Sequence, residues 1–424
     1  MHVAITGTGV ISPIALSVGG FVNGLLAGDC GIRPAPWSTP DTPALFGRVH
    51  DDFEATDWLD ERLVRGTDGS ARFAIAAADQ ALGQAGLDGG RALDPLRTGV
   101  VHGTSMGGLF SLGKAQWQLD TIGPQAVDPK TQIKIWCNMA AAQICMRHGL
   151  HGPSMTVTTA CASALDALGT AAMYLEGGLA DVVLVGGTEG GYTCDGPDEE
   201  GFVLATSAAE LSYGMSSGPT DPSRAMLPFD ANRSGIVSGE GSAFFVLETA
   251  DHARARGAEV LGWLTGYASL ADGHHPSSPE PNGTWEARVM DLAQRSAGIG
   301  PPDVDALVAH ATGTPKGDQA EIRALNRVFV DGGNDRLVVT GLKGHTGHTG
   351  ASSGAMNVIA GLHALAGGPL AHVAGTTELD PEIRFDVALR EPRSGDVGVV
   401  QVNSFGFGGQ NASVVVERAD GGPA

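Results

Sequence analysis

The sequence predicts an α/β protein built from two similar halves. Three observations predict it. Short β-branched runs recur, each ending at a glycine or a small polar turn and most followed by an Ala/Leu-rich helical pattern, the rhythm of buried parallel strands with crossover helices. The strand ends of the first half return in the same order in the second. The length, 424 residues, is too great for one ordinary domain and suits two of about 200 residues each.

Taken in order, the first strand covers Val3–Thr6, followed by Gly99–His102, Thr156–Thr159 and Val182–Val185. In the second half Leu261–Tyr267 ends in LTGYAS, echoing the opening ITGTGVIS. Ala306–Ala309 ends at His310 as Gly99–Val101 ends at His102. Leu337–Thr340 runs into a Gly-rich turn and a helix, as Thr156–Thr159 runs into Cys161. Val397–Val402 ends in NSFGFGG, as Val182–Val185 ends in GGTEGG. The matched ends divide the chain into halves 1–254 and 255–424. Asp195–Pro228 reads as loop-rich with one apolar patch, Phe202–Ala205, and a segment of that length is expected to be a lid or a crossing connection. Ala419–Ala424 reads as a frayed end.

Composition excludes several classes. With 42% hydrophobic and 17% charged residues the chain can bury a large core, so disorder is not its main state. A net charge of −21 repels phosphate backbones and anionic lipid, which argues against nucleic-acid and membrane partners. The five cysteines are scattered without a CxxC pair, which fits free thiols in a reducing cytoplasm. Met1–Leu16 lacks a basic signal-peptide start, and no apolar run reaches the length of a membrane span.

The strongest chemical signal is MTVTTACASALDALGTAAMYLEGG. A strand ends at Thr159, and Cys161 stands where a helix with Leu165, Leu168, Ala172 and Leu175 on one face begins. The helix dipole and the free N–H groups of its first turn favour a thiolate there, so Cys161 is a candidate nucleophile. Cys30, Cys137, Cys145 and Cys194 lack that placement and read as small core thiols. Two histidine turns follow. ALVAHATGTPKGDQAE puts His310 at a strand end, and VVTGLKGHTGHTGASSGAM puts Lys343, His345 and His348 on a Gly-rich turn. A lone histidine is more often a satisfied core residue, but both turns lie at strand C-termini, where α/β proteins assemble their sites. No carboxylate or cysteine near His345 and His348 completes a ligand set, so no metal is expected.

Two motifs imitate other chemistries. GTGVIS at Gly7–Ser12 resembles a dinucleotide loop but has Ser12 in place of the third glycine. GTSMG at Gly103–Gly107 fits G-x-S-x-G, which leaves a serine esterase using Ser105 as the runner-up.

From VAITGTGVISP to VNSFGFGGQNAS the chain resembles the β-ketoacyl-acyl-carrier-protein synthases of the elongating, type II branch of the thiolase-like superfamily. TTACASALDA matches the nucleophile motif at Cys161, and HATGTPKGDQAE the first histidine motif at His310. LKGHTGHTGA aligns Lys343 with the family lysine and His348 with the second histidine, leaving His345 on a position without a catalytic part. LPFDANRSGIVSGEG and NSFGFGGQN match two further signatures. Thiolases carry a second cysteine near the C-terminus, initiating synthases carry Asn at the place of His348, and chain-length factors lack the cysteine.

The resemblance implies a thiolase-like fold: two duplicated βαβαβαββ halves in a five-layered αβαβα arrangement. It implies a ketosynthase that holds an acyl chain on Cys161 and condenses it, with loss of CO₂, with a malonyl thioester, in fatty-acid or polyketide synthesis. His310 and His348 would stabilise the enolate, and the Cys161 and Phe405 N–H groups would form an oxyanion hole, with Phe405 also gating the acyl pocket. Lys343, paired with Glu321 and near Asp318, would fix the histidine turn. Thr312 and Thr314 would bind the pantetheine arm, while Met106 and Phe110 would lie at the pocket floor. No resident cofactor is implied, since phosphopantetheine arrives on the acyl carrier protein. The implied assembly is a homodimer, or a heterodimer with a chain-length-factor-like subunit, with Ile133–Met155 in the contact; the alternative is that this chain is itself the non-catalytic partner subunit of another ketosynthase.

Three departures from the pattern stand out. Ser234 replaces the usual Asp, the stretch Gly201–Pro228 is long, and Glu210 lies where fatty-acid enzymes offer the carrier a basic residue. These tilt the expectation toward a type II polyketide or other specialised pathway. Arg62, Arg65 and Arg72 are the expected docking patch for the acidic carrier.

Overall fold

The computed structural model describes residues 2–88, 93–195 and 204–421. Part of the expected apolar patch, 202–203, and the end of the expected frayed terminus, 422–424, lie outside them. The first half contributes β1 (Val3–Ile11), β2 (Thr98–Gly103), β3 (Ser154–Val157), β4 (Val182–Glu189) and β5 (Gly241–Thr249). The second contributes β6 (Gly262–Ala271), β7 (Ala306–Val308), β8 (Val338–Thr340), the short β9 (Asp386–Val387), β10 (Val399–Gly406) and β11 (Gln410–Glu417).

The strand order is β9-β8-β7-β10-β11-β6-β1-β5-β4-β2-β3. Within the first half β3, β2 and β4 are parallel, while β5 runs antiparallel to β4 and to β1. Within the second half β8, β7 and β10 are parallel, while β11 runs antiparallel to β10 and to β6. Each strand matched by sequence therefore holds the same place and direction in its own half. The halves join where Val3–Ile5 pairs antiparallel with Gly262–Leu264.

Five helices complete the layers: α1 (Gly69–Gln84), α2 (Ser163–Glu176), α3 (Thr284–Ala297), α4 (Pro315–Leu325) and α5 (Ser353–Leu365). α2 and α5 touch each other and strands of both halves, so they form the central layer. Their Ala/Leu faces make the main core with Val183, Val185, Val308, Val400 and Val402. α1 covers the outer face of the first half, and α3 covers that of the second. The order α, β, α, β, α follows.

GTGVIS forms no ligand loop. Gly7 and Gly9 lie inside β1, and a Cβ on Gly9 would stand 2.0 Å from the Ala77 carbonyl of α1. The glycines let helix and strand touch. Among its described residues the loop-rich stretch contains two helices, Ala205–Ser212 and Pro222–Ala225.

Candidate active site

Cys161 lies at a strained turn between β3 and α2. Ala160 has φ of 51°, a conformation rare without glycine, and Thr159 and Cys161 bridge across it. The turn is held by Ser163, whose hydroxyl accepts from Thr159 N at 2.9 Å and donates to Ala160 O at 2.6 Å. It is also held from the other half, where Ser404 donates to the Cys161 carbonyl at 2.8 Å. Gly406 must be glycine here, because a Cβ would come within 2.8 Å of Thr159 O and 3.1 Å of Cys161 N.

His310 follows β7, and His348 lies on the turn between β8 and α5. The Cys161 sulfur and one nitrogen from each ring lie within 4.8 Å of one another. The two rings meet edge to face at 5.4 Å. Three motifs up to 187 positions apart thus converge on one point at the seam between the halves.

Lys343 and Glu321 grip the His310 peptide from both sides. Lys343 Nζ donates to the His310 carbonyl and lies 3.3 Å from His310 Nδ1. Glu321 accepts the N–H groups of His310 at 2.8 Å and Ala311 at 2.7 Å. The expected Lys343–Glu321 pair is therefore bridged by the histidine backbone. An ammonium only donates, so Nδ1 accepts and the proton of His310 sits on Nε2. Burial pushes the Glu321 carboxyl up to about 7 and the Lys343 ammonium down to about 8. Burial, and then the Lys343 charge, hold both His310 and His348 well below the usual imidazole range, so both are neutral. His348 Nδ1 lies 3.2 Å from Ser353 Oγ.

The thiol corrects an expectation. Burial pushes Cys161 up to about 11, outweighing Lys343 and the N–H groups that pull it down, while Glu189 pushes it further up. The free enzyme holds a thiol, not a standing thiolate. The expected oxyanion donor Phe405 lies within β10, and the amides that pull the Cys161 thiol down are its own and that of Phe407, two residues further on. Phe407 is 49% exposed beside Gly406, Gly408 and Gly409, whereas Phe405 is buried on β10 with its ring 5.7 Å from that of His310.

Other expected residues are scattered around this centre. Thr312 and Thr314 share a hydrogen bond of 2.9 Å on the turn leading into α4, where Thr314 caps the helix. Asp318 is buried behind them and accepts from Gly313 N at 3.0 Å and Phe229 N at 2.7 Å. Met106 is 43% exposed, but Phe110 is buried in a separate aromatic cluster against Tyr192, at 4.6 Å, which also includes Trp37 and Phe46. The Ser105 N–H donates to the buried carboxylate of Glu189 at 3.0 Å, and its hydroxyl bonds the same group, so the esterase reading finds a carboxylate where it needs an imidazole. Cys137 is exposed, not a core thiol. Of the expected docking arginines, Arg72 is only 6% exposed and donates to the Val64 and Thr67 carbonyls, and Arg65 is paired with Glu61 at 2.9 Å. His345, off the reacting centre, lies between the Asp29 and His372 carbonyls at 2.9 Å each.

Comparison with known proteins gives a consistent picture. Residues 1–253 match the β-ketoacyl synthase N-terminal domain, and residues 261–377 match its C-terminal domain. A 3-oxoacyl-acyl-carrier-protein synthase 2 of Rhizobium meliloti is 34% identical over 429 residues, covering 99% of each chain. A protein of Streptomyces coelicolor named actinorhodin polyketide putative β-ketoacyl synthase 2 is 36% identical, again over 99% of each. Among solved structures, a β-ketoacyl synthase from Burkholderia phymatum superposes with a TM-score of 0.88 at 28% identity over 99% of both chains. The ishigamide ketosynthase/chain length factor gives 0.87 at 29% identity over 98% of this chain and 99% of that one.

Proposed function

Since the chain belongs to the β-ketoacyl synthase family, we propose that it is a ketosynthase in which Cys161 carries the acyl chain and His310 and His348 drive decarboxylative condensation with a malonyl thioester. The observation that carries this is the convergence of one sulfur and two neutral imidazoles within 4.8 Å.

In the first half-reaction the Cys161 sulfur attacks the thioester carbonyl of an acyl carrier. The new C–S bond forms, the carrier's C–S bond breaks, and the thiol proton ends on the carrier sulfur. The Cys161 and Phe407 N–H groups, both of which favour negative charge at the sulfur, stabilise the oxyanion. In the second, the malonyl group loses CO₂ and its electron pair becomes an enolate. The Nε2–H of His310, fixed by Lys343 at Nδ1, donates to that oxygen, with His348 as second donor. The carbanion attacks the acyl carbonyl, the bond to Cys161 breaks, and the sulfur leaves as a thiolate, which takes up a proton. Lys343 and Glu321 are positioning residues, since they act through His310.

The same three donors have the count of a metal site, but a cation among them would face the Lys343 ammonium, whose charge is felt at the Cys161 sulfur. The reading therefore has no resident metal or cofactor, and a chelator leaves turnover unchanged. The partners in this reading are an acyl carrier protein bearing phosphopantetheine, passing Thr312 and Thr314, and a second subunit, identical or chain-length-factor-like. The solved relatives support it: one is titled as a type II polyketide acyl-carrier protein in complex with its ketosynthase, with a TM-score of 0.86 at 25% identity. The subunit contact would use the open edge of β3 and the exposed Ile133, Trp136, Met146 and Met155. No described helix is long and apolar enough to cross a membrane. A cytoplasmic setting belongs to the same reading, in keeping with five free cysteines.

Mass spectrometry after incubation with acyl-carrier thioesters tests it. The acyl mass should appear on Cys161, CO₂ should be released from the malonyl thioester, and Cys161→Ala should abolish the β-ketoacyl product. Acylation elsewhere, or product from Cys161→Ala, would overturn the assignment.

A further inference from the structure

Two departures from the family pattern, Glu210 and Ser234, end on the same strip of chain. That strip, Gly235–Gly239, is extended and lies between the surface segment 205–218 and the two histidine turns. On the inner side it holds His348 by both peptide groups: His348 N donates to Val237 O at 2.7 Å, and Gly239 N donates to His348 O at 2.9 Å. It also reaches the other turn, where Gly235 N donates to Gly313 O at 3.1 Å, three residues beyond His310. On the outer side Ile236 N donates to Met215 O at 2.9 Å, and Ser217 N donates to Ile236 O at 2.8 Å. The Ser234 hydroxyl accepts from Gly218 N at 3.2 Å, adding a contact at the end of the strip.

The remaining link is a side chain. Glu210, on the helix Ala205–Ser212, accepts from the Ser238 hydroxyl at 2.8 Å. Ser238 bridges directly to His348. A carboxylate acceptor makes the stronger kind of hydrogen bond, and here it ties a surface helix to the residue opposite a proposed enolate donor.

We propose that Glu210 is a positioning residue that, through Ser238 and the strip Gly235–Gly239, sets the backbone position of His348 and so couples the surface segment 205–218 to the decarboxylation step. The inference rests on the function proposed above. It separates the two half-reactions, because none of these bonds goes to the Cys161 turn. It also reassigns Glu210: its carboxylate is directed at the strip, not outward at a carrier.

The test compares wild type, Glu210→Ala and Glu210→Gln by amide hydrogen exchange, acyl transfer to Cys161, and CO₂ release from a malonyl thioester. In Glu210→Ala, exchange should quicken at 235–239 and 346–350, and CO₂ release should fall about tenfold with acyl transfer within about twofold. Glu210→Gln, which keeps an acceptor oxygen, should restore most of both. Unchanged exchange at these segments, or equal losses in the two half-reactions without rescue by Gln, would overturn the proposal. Should wild type neither accept an acyl group nor release CO₂, the function falls, and the exchange data still decide whether Glu210 holds the strip.

Discussion

A thiol held up to about 11 is almost wholly protonated at neutral pH, so the reactivity of Cys161 should climb with pH well past the ordinary cysteine range. Iodoacetamide labelling of the free enzyme should therefore rise by about tenfold per pH unit between 7 and 10. Lys343→Met should slow labelling at fixed pH, because it removes the cation that favours the thiolate. It should cost decarboxylation more, about a hundredfold, since the His310 tautomer and peptide are released together. His102 gives a stability prediction. It is buried with both ring nitrogens lacking a hydrogen-bond partner, and burial holds it down to about 4. The unfolded chain, at about 6.5, then binds the proton more readily. Above pH 6.5 the ring is neutral folded and unfolded, so proton linkage contributes nothing there, and stability is lost as pH falls from 6.5 toward 4, by about 3 kcal/mol in all. His102→Leu should shift the acid-denaturation midpoint downward. Cys161, His310 and His348, which the structure brings together, could each be picked out in sequence because each sits in a motif at a strand end. Their acid–base state could not, because the burial that governs Cys161 comes largely from packing by distant segments. Phe407 was missed for a related reason: Phe405 and Phe407 share one signature, and only the bend after β10 shows which amide meets the sulfur.

At the scale of elements, glycine decides how closely layers approach. Gly9→Val should destabilise the chain by about 3 kcal/mol in denaturant titration, since its first carbon already collides with the α1 carbonyl of Ala77. Gly406→Ala pushes on the Cys161 turn instead, and should impair acyl transfer by more than its effect on the melting temperature suggests. The strand ends were readable because strand, turn and helix each leave a local pattern. The short helices at Ala205–Ser212 and Pro222–Ala225 were not, being a few turns embedded among glycine, serine and proline. The packing of Phe110 against Tyr192, Trp37 and Phe46 was not readable in sequence, because a helical position says nothing about which aromatic rings close over it.

At the scale of the molecule, the exposed Trp136 and Met155 and the open edge of β3 should lie in a subunit contact. The double change Trp136→Asp and Met155→Lys should shift sedimentation from dimer to monomer without unfolding the chain. The duplication was legible in sequence, but the order of strands was not, since pairing partners lie far apart along the chain.

The short antiparallel contact between β1 and β6, with α2 and α5 clasped between the layers, means that the peptide link from Arg256 to Leu261 is not what keeps the catalyst together. In the proposed reaction the nucleophile comes from the first half, and both imidazoles come from the second. Two separately produced polypeptides, broken within that link, should then be complementary reagents, inert alone and competent once mixed.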